Sequence, residues 1–142
     1  MFDTLSSQIG AAIIVLVGAF AFVKGDEPER IGAGSYLFAW FASLLVQNDA
    51  QVYSLQWSMF AIDLIVLIVF AGLCWKAARN WPVWATALQL LAVASHLMVF
   101  FDLRPSVAAF YTVLNISSYG VLLCIAVGTF WAWQERRAAG LE

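Results

Sequence analysis

The chain has 142 residues, of which 63% are apolar and only 11% charged, with a formal net charge of -2. Soluble domains carry nearer ~25% charged residues, so this much apolar surface cannot be the core of a water-soluble fold. The slight acidic balance gives no basis for nucleic-acid binding, and the mean hydropathy of +0.86 points to lipid.

Five apolar segments are predicted in chain order, at residues 5–23, 31–47, 55–75, 81–101 and 107–133. Each approaches the ~20 residues that cross a bilayer as a helix. In the first, Ala11, Gly18 and Ala21 share a face suited to close helix contact. It is expected to end in a charged turn, Lys24-Gly25-Asp26-Glu27-Pro28-Glu29-Arg30. No basic residue precedes this first segment, so it does not read as a secretory signal peptide.

The second segment is the shortest and least apolar. Ser35, Ala39 and Ser43 recur along it every four residues, and Tyr36, Ser43 and Gln47 make one side partly polar. The third segment carries Asp63 and the fourth carries His96, the sole histidine of the chain. They are joined by the short link Lys76-Ala77-Ala78-Arg79-Asn80, in which Asn80 is placed to cap the fourth helix. Pro82 then falls in the first turn, where backbone donors have no helical partner. Gln89, Ala92 and His96 share a face. The fifth segment has a polar side that includes Tyr111, Asn115, Ser118 and Tyr119, and a second small-residue stripe of Gly120, Cys124 and Gly128. Ser117 and Ser118 are expected to bond back onto their own helix.

Orientation follows from the basic residues. Placing the Lys76/Arg79 link in the cytoplasm puts six of the seven Lys and Arg inside, leaving Arg104 outside. The predicted fold is therefore all-α: one integral-membrane bundle of five transmembrane helices, N-terminus outside and C-terminus cytoplasmic, in a compact bacterial inner-membrane style. Trp75, Trp81, Trp84, Trp131 and Trp133 are expected as an inner aromatic belt, with Trp57 at the outer interface. Trp40 falls mid-span, where it would pack inside the bundle or against a ligand.

An ionised Asp at mid-bilayer costs on the order of 3 kcal/mol, so Asp63 needs a partner or a purpose. Counting helical rise inward from Trp57 and from Asp102 puts Asp63 and His96 at one depth, roughly 9 Å below the outer interface. Asn115 and Ser43 lie near the same level. The candidate ligand- or proton-binding set is Asp63, His96, Asn115, Ser43, Tyr36 and Trp40. The plain structural reading is that Asp63, protonated or bonded to Asn115 or Tyr111, only fixes helix register, and that His96 is a neutral histidine satisfied by a backbone carbonyl or by Asp63. No catalytic constellation or phosphate loop is visible, and Cys74 and Cys124 read as small buried hydrophobes, not as metal ligands or a disulfide.

These features give three expectations of function. The leading one is a small accessory or structural subunit of a larger membrane complex, in contact with other subunits or its own copies. The second is a small oligomeric proton-coupled transporter or channel using Asp63 and His96. The third is a membrane protein binding a quinone or another cofactor, although no cofactor is indicated by a motif.

Overall fold

The computed structural model describes residues 5–46, 57–77, 79–101 and 106–141. These form five α-helices: α1 Leu5–Lys24, α2 Glu27–Val46, α3 Trp57–Lys76, α4 Trp81–Phe100 and α5 Val107–Ala138. Among the described residues there is no strand. Each helix packs on its chain neighbours and α1 closes onto α5, so the five make a ring, with α2 touching α5 across the middle.

Two helices, Trp57–Lys76 and the Ala108–Ala138 stretch of α5, are long and apolar enough to cross a membrane by length and composition. Among the described residues the other three of the five expected spans do not meet that measure. In α2 the reason is the Glu27, Glu29 and Arg30 of its first turns.

Helix ends follow local chemistry. The first loop is far shorter than the sequence suggests: α1 and α2 are separated only by Gly25 and Asp26. The Asp26 N–H donates to Glu29 Oε2 at 3.1 Å, one half of a capping box, so Glu27 and Glu29 become the acidic first turn of α2. Gly25 is required here, because a Cβ would sit 2.5 Å from the Ala21 carbonyl oxygen and 2.7 Å from Glu29 Cβ. At α4 the expected Asn80 side-chain cap does not form; the Asn80 carbonyl instead accepts the Val83 N–H at 3.2 Å. Ser106 caps α5 by accepting the Ala109 N–H. α5 runs five residues beyond its predicted end, since Gln134, Glu135, Arg136 and Arg137 all favour helix. It stops in a Schellman motif: Gly140 adopts φ +75°, and the Leu141 N–H returns to the Arg136 carbonyl.

Antiparallel neighbours gather the ends of α1, α3 and α5 with the starts of α2 and α4. All described charged side chains except Asp63 lie at that one end. The core of the half next to it is packed by Ala21, Ala33, Phe70, Leu73, Trp81, Ala85, Val121 and Ile125. Trp81 is the centre of this layer and corrects the belt assignment. It is buried, its ring pressed between Gly32 of α2 and Gly128 of α5, with Phe70 edge-on at 6.2 Å. Trp75, Trp84 and Trp131 are exposed. The stripe on α5 faces α4, where Gly120 lies under Leu88 and Gly128 under Trp81.

Candidate functional site

Asp63 and His96 face each other across the α3–α4 contact, with His96 Nε2 2.8 Å from Asp63 Oδ2. Gln89 supplies the rest of the Asp63 shell. Its side-chain amide donates to Asp63 Oδ1 at 3.1 Å and to the Asp63 carbonyl at 3.0 Å. Gln89 and His96 stand seven residues, about two turns, apart on α4, and so reach the same partner from one face. Both carboxylate oxygens are thereby engaged, one by the His96 of the plain reading and the other by Gln89, which the sequence did not single out as a partner. Two aromatic edges hold the imidazole: Phe60 at 6.4 Å and Phe110 at 5.9 Å between ring centroids. His96 is 7% exposed.

The pair forms part of the wall of a cavity of about 300 Å³ in the half of the ring remote from the charged end. All five helices contribute: Gly10 and Ile14 from α1, Tyr36, Trp40 and Ser43 from α2, Met59 and Asp63 from α3, Gln89 and His96 from α4, Asn115, Ser117 and Ser118 from α5. The six residues singled out in the sequence therefore all line one space. Asn115 is also an exposed residue. Toward the charged end Tyr36 stacks on Phe70 at 6.2 Å, and Phe70 meets Trp81, which closes the bundle below the cavity.

Two members of the lining escaped the sequence reading. Gln89 was legible only as a residue sharing the His96 face. Ser117 was expected to bond back to its helix, and it does not. It is 1% exposed, and its Oγ has no hydrogen-bond partner among the described residues. Gln47, Asn48-Asp49-Ala50-Gln51, Gln56, Asp102 and Arg104 lie outside the described residues.

A second polar cluster sits at the charged end. Glu29 is 0% exposed, yet its carboxylate accepts the Trp81 indole N–H at 3.1 Å and lies 3.6 Å from Arg79 Nε. Arg79 also reaches Asp26 at 2.6 Å and Glu135 at 2.9 Å, and Arg136 closes the network through Asp26 and the Lys24 carbonyl. Partial burial works against the Arg79 charge, but Glu29, Glu135 and Asp26 more than offset it and hold the guanidinium above the usual arginine range. The only sequence trace of this cluster was the Asp26-to-Glu29 spacing of a capping box.

Cys74 is a free thiol, 3.2 Å from the Thr86 hydroxyl, and ties α3 to α4. Among the described residues no group of three or more His, Cys, Asp and Glu is placed to hold a metal ion. The fold and site define an all-α helical bundle with a part-buried carboxylate–imidazole pair on the wall of a cavity between the helices. No protein-family model, curated protein or solved structure matches the chain.

Proposed function

We propose that the chain is an integral-membrane protein of five spans, N-terminus outside, that binds a small polar-headed lipophilic molecule in the outer half of the bilayer. Asp63 and His96 are its polar anchor. The membrane reading is supported by large apolar side chains exposed on every helix, among them Leu16, Phe38, Leu45, Ile65, Ile68, Leu90 and Leu123. In water such a surface would be an aggregation hazard on all sides; in lipid it is solvated. Confinement of the other described charges to one end fits a bilayer boundary there, and the two hydrogen-bonded partners of Asp63 offset its desolvation.

The observation that carries the binding reading is the cavity itself, walled by all five helices around a hydrogen-bonded ionisable pair and closed on the charged side. Ligand pockets combine apolar walls with a few convergent polar groups in this way. A transporter using the same pair would have to break the Trp81 layer in every cycle, so binding is the simpler use of the geometry.

The test is purification in mild detergent, followed by solvent extraction and mass spectrometry of retained small molecules. Asp63→Asn keeps the side-chain shape but removes the charge that holds and orients His96, so retention should fall. Equal retention by the two proteins refutes the reading.

A role as subunit of a larger complex is the second reading. It is favoured by one face of α3, where Gly72 is exposed and its missing Cβ would meet nothing within 4 Å, beside exposed Ile65 and Ile68. A small residue among apolar ones on a lipid-facing side admits a partner helix. Recovery of the protein as a single species without partners in mild detergent would count against it.

A further inference from the structure

We propose that the molecule held in this cavity is a ring bearing two carbonyl oxygens, a quinone by chemical class, with His96 Nδ1 and Ser117 Oγ as its two hydrogen-bonding poles. This rests on the cavity being a binding site, as argued above, and adds the class of ligand and a residue that selects it.

Ser117 differs from four other hydroxyls of the helices. Thr86, Ser95, Thr112 and Thr129 each bond back to the carbonyl four residues earlier, at 2.6 to 3.0 Å. Ser117 forgoes that bond, is buried, and lines the cavity with its hydroxyl unmatched among the described residues. Buried hydroxyls without a partner are rare, and each calls for an explanation.

The second pole comes from the dyad. His96 Nε2 is engaged by Asp63, which leaves Nδ1 as the remaining polar atom of the ring, with no hydrogen-bond partner among the described residues. Nδ1 donates when it carries a proton, and the freely rotating Ser117 hydroxyl can donate as well. Two donors call for two acceptors on one ligand.

The register set by Gly128 under Trp81 and Gly120 under Leu88 places Ser117 opposite Leu91 and Ala92. The two residues thus stand roughly 6–7 Å apart in level along the bundle, four to five residues of rise. Between them the aromatic walls Tyr36 and Trp40 suit a flat ring, and about 300 Å³ is at the small end of ligand pockets. Only binding is proposed, with no electron transfer.

The experiment titrates the full chain in detergent with decyl-benzoquinone, reading quenching of tryptophan fluorescence, with Trp40→Phe to assign the signal. Decylphenol, with one oxygen, and decylbenzene, with none, serve as comparison probes. Saturable quenching by the quinone is expected, about tenfold weaker in Ser117→Ala, with decylphenol binding weakly and indifferent to that substitution. Ser117→Ala deletes an unpaired hydroxyl, so its ligand-free melting temperature should be no lower than that of the parent. Equal quinone affinity in Ser117→Ala, or equal binding of decylbenzene, overturns the inference. If decylphenol binds in a manner sensitive to His96→Gln while Ser117→Ala changes nothing, the inference falls and the binding reading stands. Linear, unsaturable quenching by every probe removes both.

Discussion

Trp81 is held as a wedge, and two glycine substitutions measure the grip. A Cβ on Gly32 would stand 2.5 Å from Trp81 Cη2, at the far end of the indole. One on Gly128 would stand 2.2 Å from Cδ1 and 2.5 Å from Cγ, at its near end. The ring cannot slide from one clash without meeting the other helix, so α2 or α5 must move outward. Overpacking of this kind costs about 1–3 kcal/mol, against which alanine gains up to ~1 kcal/mol over glycine in a helix. Gly32→Ala should therefore destabilise by about 1–2 kcal/mol and Gly128→Ala by at least as much. Gly72→Ala, where the new Cβ meets nothing within 4 Å, should be neutral or stabilising. The assay is thermal unfolding in detergent, where each kcal/mol shifts the midpoint by a few degrees in a chain of this size.

The decisive arm uses Trp81→Phe, whose shorter ring withdraws from Gly32 but keeps the atoms that face Gly128. On that background Gly32→Ala should cost nearly nothing while Gly128→Ala stays costly, a coupling that only direct contact produces. If Gly32→Ala costs the same with Trp or Phe at position 81, the wedge account is wrong.

The charged end supplies two further predictions. Glu29→Gln should destabilise much more than Glu135→Gln. The first unbalances a wholly buried group facing Arg79 and Trp81, a loss of about 3 kcal/mol; the second touches a carboxylate that is 68% exposed, worth about 1 kcal/mol at most. Comparable losses in chemical or thermal unfolding would contradict that ranking. The pH dependence has a definite sign. A folded-state pKa raised above the unfolded one gives stability that is present below the unfolded value and lost as pH rises through the folded one. For Arg79 that loss begins only above pH ~12, so the parent should show no loss from this group between pH 7 and 10. Arg79→Lys, with an unperturbed pKa of ~10.4, should begin to lose it as pH approaches that value, and a flat profile to pH 11 would refute the assignment.

Hydropathy and helical period determine much of this protein before any coordinates. Segments that are apolar throughout cannot pair as an alternating sheet, so helices follow, and the charged residues mark where they stop. Rise per residue was enough to put Asp63, His96, Ser43 and Asn115 at one level, because depth along a helix depends only on counting. Which way each side chain turns was not legible, since rotation about the helix axis is set by neighbours. Only the packed ring decided that Gln89 completes the Asp63 shell and that Ser117 is left unmatched beside the cavity. The same holds for Trp81: composition places a tryptophan near a helix end at the interface, but Gly32 and Gly128 leave a gap inside that only its ring fills. Glu29 looked like loop charge until Arg79, fifty residues on, and the Trp81 indole supplied the partners that allow a carboxylate to be buried.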